Sequence, residues 1–176
     1  MFGGYFGGHS SIDADASVPV ARIKGDSDGF ILGLQQALGD AAHIGIAVDN
    51  GSSDFSVRDP LYPETLKLKH TQAALFAGWS DGGFTLNGAA SYGFGMARTN
   101  MLTPTTPAIG KRDINSWSLG AQAGYAVALG KDASLTPHVG IRHISAKLKR
   151  FTEVGGPTPL LGLSQTVSRT RLYAGL

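Results

Sequence analysis

An all-β fold, in which about eight antiparallel up-and-down strands form a transmembrane barrel, is what three features of this sequence predict. Apolar and small-or-polar residues alternate with a period of two over most of the chain. The connections between alternating segments are by turns short and long. Charge is sparse and glycine abundant: 16% of residues are charged and 25 of 176 are glycine, against about 25% and about 7% in soluble domains. The length suits a single domain over residues 1–176.

The strands read in order as residues 2–11, 28–38, 41–49, 66–79, 84–96, 114–129, 135–149 and 165–176. The first alternates poorly, and its glycines fit a flexible lead-in as well as a strand. In the second, Phe30, Leu32, Leu34 and Leu38 share a face opposite Gly29, Gly33, Gln35 and Ala37. In the third, Ala42, Ile44, Ile46 and Val48 oppose His43, Gly45, Ala47 and Asp49. The fourth sets Ala73, Leu75, Ala77 and Trp79 against Gln72, Ala74, Gly78 and Ser80, with Phe76 out of place on the small face. The fifth sets Phe84, Leu86, Ala90, Tyr92 and Phe94 against Thr85, Asn87, Ala89, Ser91, Gly93 and Gly95. The sixth is cleanest: Trp117, Leu119, Ala121, Ala123, Tyr125, Val127 and Leu129 oppose Ser116, Ser118, Gly120, Gln122, Gly124 and Ala126. The seventh changes face near Arg142 and His143, which predicts a bulge or a departure from the membrane there.

The connections decide between a membrane barrel and a soluble sandwich. Gly39-Asp40, Ser80-Asp81-Gly82-Gly83 and Gly130-Lys131-Asp132-Ala133-Ser134 are compact turns. Residues 12–27, 50–64, 97–112 and 151–164 are long, polar and rich in Pro, Thr, Asp and Ser. Short turns on one rim and long loops on the other are the outer-membrane pattern. Trp79 and Phe84 flank a short turn, whereas Tyr92, Phe94 and Trp117 flank the long connection at 97–112. Both placements suit interfacial aromatic girdles. Tyr125 reads as lying further inside the band.

Other classes are excluded or weakened. The mean hydropathy is +0.00, and no window holds the ~18 consecutive apolar residues of a membrane-spanning helix. A net charge of +2, with one short basic cluster at Lys147, Lys149 and Arg150, leaves no nucleic-acid footprint. There are no cysteines, so no disulfide or thiolate metal site forms. Met1-Phe2-Gly3-Gly4 is not a secretory signal, and the expectation is that an export signal lies upstream or has been removed. His9, His43, His70, His138 and His143, with rim acids such as Asp13, Asp15, Asp49 and Asp54, leave a barrel hydrolase conceivable. No nucleophile-elbow, zinc-binding or phosphate-loop motif supports it. The expectation is therefore no enzyme activity, no catalytic or metal residues and no cofactor. A stand-alone eight-stranded structural or adhesin barrel is the alternative.

Several runs resemble a family. Phe6-Gly7-Gly8, then Gly29-Phe30-Ile31-Leu32-Gly33-Leu34 and Leu38-Gly39-Asp40, resemble the opening of autotransporter translocator barrels, as does Asp113-Ile114-Asn115-Ser116-Trp117-Ser118-Leu119-Gly120 leading to Gly124-Tyr125. Leu135-Thr136-Pro137-His138-Val139-Gly140-Ile141-Arg142, with Phe151-Thr152-Glu153-Val154-Gly155-Gly156 after it, is similar to the family's "LTP" strand and "FTE-GG" loop, and Ser168-Arg169-Thr170-Arg171-Leu172 to the strand that follows. The resemblance implies twelve strands around a threaded helix and a closing strand with a terminal aromatic. About eight strands are present, so the chain reads as a partial β-domain lacking the last strands. It also implies a place in the bacterial outer membrane, export of an upstream passenger, and assembly by the barrel-assembly machinery with periplasmic chaperones. On this reading outer-membrane lipid meets Leu32, Leu34, Ile44, Ile46, Leu86 and Val127, and the lipid-facing and girdle set is Trp79, Phe84, Tyr92, Phe94, Trp117, Leu119 and Tyr125. The lumen-facing set is Gln72, Asn87, Ser91, Ser116, Ser118, Gln122, Thr136, His138 and Arg142. It would hydrate the channel or bond a threaded segment, although pattern alone makes such positions polar.

Overall fold

The computed structural model describes residues 1–12, 22–58, 64–102, 106–130, 133–156 and 160–176. Twelve strands run as β1 Phe2–Ile12, β2 Arg22–Leu38, β3 Ala42–Arg58, β4 Glu64–Asp81, β5 Phe84–Met101, β6 Ala108–Tyr125, β7 Val127–Ala128, β8 Ser134–Leu135, β9 His138–Leu148, β10 Phe151–Thr152, β11 Leu161–Gly162 and β12 Gln165–Gly175. Eight of them form one sheet in the order β1-β2-β3-β4-β5-β6-β9-β12, and every neighbouring pair is antiparallel. Two small ladders, β7-β8 and β10-β11, stand apart. Within the described residues β1 and β12 each pair on one side, so the sheet has two edges.

The expected eight strands are present, with changed limits. The first is a full strand, paired with β2 from Phe2↔Gly33 to Ile12↔Ile23. Residues read as long loops belong largely to strands: β3 runs on to Arg58, β4 starts at Glu64, β5 reaches Met101 and β6 begins at Ala108. The expected strand 114–129 breaks at Ala126, whose N–H is taken by the Gly83 carbonyl at 2.7 Å. Strand 135–149 breaks at Thr136-Pro137, where proline has no N–H to give to a ladder. The face change at His143 involves no bulge, because β9 pairs without slippage from His138 to Leu148 with both β6 and β12.

Why the sheet curls is visible in the exposure of β4. From Glu64 to Gly78 every even-numbered residue is half-buried or buried, while odd-numbered ones are exposed except Thr71. A sheet one layer thick hides one face only by wrapping around it. The even side of β4 is therefore concave, and register extends the assignment to all eight strands. Among the described residues no large side chain is fully buried, and the buried apolar residues are Ala47 and Ala108. The backbone ladder, rather than a core, holds the fold together, and the convex side chains need another medium to leave water.

The tightest rim connection is Gly82-Gly83 between β4 and β5, with φ of 55° and 84°. A two-residue hairpin with both central φ positive is a type I′ turn, which matches the twist of the flanking strands. Glycine also explains Phe76, the residue out of pattern on the small face. A Cβ on Gly45 would lie 2.3 Å from the Phe76 ring, so the missing side chain is the space the ring occupies. Phe2 and His43 then pack beside it, with ring centroids at 6.0 and 6.4 Å.

Candidate functional site: two faces of a curved sheet

Cross-strand pairing converts the alternation into two surfaces. On the convex side Leu34, Ile46, Leu75, Ala90 and Leu119 are consecutive partners in one row. Trp79, Phe84, Tyr92, Phe94, Trp117, Leu119 and Tyr125 all stand on this face and are exposed. Tyr125 ends β6 and pairs with Phe84, so it belongs to the short-turn rim beside Trp79 and not deeper in the band. Trp79 and Phe84 touch, with centroids 5.9 Å apart. At the other limit Tyr92 pairs with Trp117. One row further along, Tyr5 and Phe30 pair with each other, and Phe94 shares that row. Tyr5 and Phe30 escaped the sequence assignment to this aromatic row because only pairing shows that they are level with Phe94.

The concave face carries Gln72, Asn87, Ser91, Ser116, Ser118, Gln122, His138 and Arg142. One row runs His43–Gly78–Asn87–Gln122–Gly140–Tyr173 across six strands. Tyr173 lies over Gly140, where a Cβ would be 2.4 Å from its ring, and its hydroxyl donates to Gln122 Oε1 at 3.2 Å. Ser91 and Ser118 share a hydrogen bond of 2.7 Å. A single depression collects His43, Gln72, Asn87, Ser118, Arg142 and Tyr173. Arg142 stands opposite Arg171, with Arg169 on the same side. Thr136 falls in the break between β8 and β9, off the main sheet, with its carbonyl 3.4 Å from His138 Nδ1. Tyr173 belongs to this surface but is not singled out in the sequence, and His43, weighed there only as one of five histidines and a small-face position, joins the same row.

Above the aromatic row the polarity inverts. The concave side of this half holds Ile23, Phe55, Val57, Leu66, Leu68 and Ile114, mostly half-buried, while the convex side holds Asp26, Asp54, Lys67, Arg98, Lys111 and Asp113. His143 marks the change in β9: it stacks on Trp117 at 4.9 Å and its Nδ1 meets Thr170 Oγ1 at 2.8 Å, all on the convex side. Near the end of this half, β10 folds onto β6, and the Arg112 guanidinium sits 4.5 Å from the Phe151 ring centroid. Two His–Asp contacts also occur here. His9 Nδ1 is 2.7 Å from Asp26 and His70 Nε2 is 3.3 Å from Asp49, on opposite faces of the sheet. No group of three or more metal-binding side chains exists among the described residues. Asp13 and Asp15 lie outside the described residues.

The chain matches the autotransporter β-domain family over residues 1–176 and belongs to it. The fold agrees. The translocator domain of the autotransporter NalP from Neisseria meningitidis superimposes with a TM-score of 0.82 at 20% identity, over 97% of this chain and 57% of that one. BauA, the ferric preacinetobactin receptor of Acinetobacter baumannii, gives 0.53 at 11% identity, over 88% of this chain and 28% of that one. The chain thus spans little more than half of the NalP domain. No curated relative matches in sequence. As a member of this family of transport barrels, the protein is placed in the bacterial outer membrane.

Proposed function

We propose that this curved sheet is the wall of a translocator pore that anchors an upstream passenger and assists its passage to the cell surface. The convex band, from the Trp79–Phe84–Tyr125 rim to the Tyr5–Phe30–Phe94 row, faces lipid. Each half-exposed Leu or Ile there contributes on the order of 1 kcal/mol on transfer out of water. Gln72, Asn87, Ser91, Ser116, Ser118, Gln122, His138 and Arg142 face the lumen. The carrying observation is that the concave band keeps its bulk flat against the wall: Gly33, Gly45, Gly78 and Gly140 lie beneath the rings of Phe2, Phe76, His43 and Tyr173, and Ala47, Ala74, Ala89, Gly93, Gly120 and Gly124 stand between the polar groups. A wall of such residues leaves room for a polypeptide that an ordinary eight-stranded barrel would fill with its own side chains. Arg142, Arg169 and Arg171 suit a threaded segment bearing carboxylates.

The sheet edges support a larger barrel. An unpaired strand edge in hydrocarbon costs several kcal/mol for each unsatisfied backbone group, so further strands between β12 and β1 complete the wall, and the described chain is a partial β-domain. The work of such a wall is architectural and not enzymatic, and no cofactor takes part. Insertion by the barrel-assembly machinery after periplasmic chaperone escort belongs to the same reading.

These 176 residues hold no cysteine, which gives a direct test in the full-length protein with its passenger attached and any cysteine outside them replaced by serine. Ser118→Cys should crosslink to a cysteine placed in the segment just upstream of the barrel, whereas Leu119→Cys, its neighbour on the other face, should react only with a lipid-soluble maleimide. Equal crosslinking from both positions, or from Leu119→Cys alone, would overturn the assignment of faces and the pore with it.

A further inference from the structure

We propose that the basic row Lys67–Arg98–Lys111 is a binding site for the phosphorylated headgroup of an outer-leaflet lipid. The inference rests on the membrane placement of the convex face. Lys67 pairs with Arg98, and Arg98 with Lys111, as direct cross-strand partners on β4, β5 and β6. Like charges directly opposite one another destabilise a sheet, and three in a row across adjacent strands call for an anion. Within the chain the nearby carboxylates leave that need largely unmet. Lys67 Nζ reaches Asp54 at 3.1 Å, and Asp113 is held by Lys149 at 3.4 Å. Arg98 and Lys111 make no ion pair among the described residues, and Lys69 adds a further cation on the same face of β4.

Height selects the ligand. Arg98 lies two residues beyond Met96 and four beyond Phe94, which puts it roughly 7 and 13 Å along the strand above the last oily side chains. That is where phosphate groups lie when the band below is in hydrocarbon. Between row and band a shallow depression is lined by Lys69, Thr71, Phe94, Met96, Asp113 and Lys149 among others, with Asp113 neutralised by Lys149 at 3.4 Å. Cations along its upper edge and apolar side chains at its base match a phosphorylated headgroup joined to acyl chains. The rim is also lopsided in charge. The convex side of β2 and β3 beyond the band carries Asp26, Asp28 and Asp54 against Arg22 and Lys24. The same level of β4 to β6 carries Lys67, Lys69, Arg98 and Lys111 with Asp113 alone. An anionic headgroup is therefore directed to one side of the barrel.

The test uses the full-length protein in neutral detergent, equilibrated with diphosphoryl lipid A and phosphatidylethanolamine, with retained lipids counted by native mass spectrometry. Wild type should prefer lipid A by about tenfold or more, and an Arg98→Gln/Lys111→Gln double variant should lose most of that preference. Arg98→Lys/Lys111→Arg should keep it, and Lys24→Gln, on the acidic side, should leave it unchanged. Undiminished lipid A retention by the neutral double variant overturns the site. Displacement of lipid A by excess inorganic phosphate, or preferential capture of an acidic polypeptide, overturns it as a lipid site. Heat-dependent gel mobility, measured in parallel, reports barrel folding: a wild type without that shift would defeat the membrane barrel itself and not the headgroup site alone.

Discussion

The two halves of the long strands obey one periodicity and opposite polarities. Between the aromatic rows, the convex side is oily and the concave side small and polar; beyond Phe30 and Phe94 the convex side carries Lys, Arg and Asp and the concave side Leu, Val and Phe. Strands of 17 or 18 residues extend roughly 55–60 Å. An apolar band about 25 Å tall accounts for only part of that even after allowing for strand tilt. On the proposed membrane placement the remainder stands in water, and there the sheet has the arrangement of a soluble β-structure. The medium outside each half, and not the strand itself, determines which phase of the alternation is stable.

That contrast is most easily broken by moving a charge across the boundary. Leu119→Arg puts a cation in the middle of the band, where the cost is about 2–4 kcal/mol. The same residue introduced as Thr65→Arg, on the convex side of the water-exposed half, should cost less than about 0.5 kcal/mol. Urea unfolding in lipid vesicles, followed by tryptophan fluorescence, distinguishes them, and equal costs would mean that the two halves share one environment. Gly45→Val is the next largest test. Its Cβ would fall 2.3 Å from Phe76 and 2.7 Å from the Leu34 carbonyl, so overpacking of about 1–3 kcal/mol is expected. Phe76→Ala in the same chain should return part of the loss, and additive losses would deny that the ring rests on the glycine. Smallest is Lys67→Ala. Its partner Asp54 is 3.1 Å away, but the side chains are 51% and 55% exposed, so solvent screening leaves at most about 0.5 kcal/mol. A larger loss of stability would point to a more sheltered upper half than the exposures describe.

What could be read from the residues followed the contrast between the halves. The convex face of the band was legible from Trp117-Ser118-Leu119 onward because each oily residue is separated from the next by a small one. Much of the upper half reads as loop from sequence, since Asp54-Phe55-Ser56-Val57 keeps the period but reverses its phase and its charge resembles a connection when only lipid-facing strands are sought; Leu66-Lys67-Leu68-Lys69, reversed in the same way, falls within the expected fourth strand. At His143 the reversal was visible, and departure from the membrane was one of the two explanations it allowed; continuous pairing eliminates the bulge. Tyr125 was misplaced for a different reason. A strand assumed to run to residue 129 put it inside, whereas the break at Ala126 puts it on the rim. The concave row from His43 to Tyr173 was beyond reach because its members lie on six strands and meet only through register.

The order of strands in the sheet is also the order of strands in the chain. Each new element therefore needs only the one made just before it, and no segment has to pass through a loop already in place. Closing each hairpin joins residues a short way apart, which keeps the entropy loss of every step small. Such a wall can be laid down from one end to the other, a hairpin at a time, with a single distant pairing deferred until the ring is joined.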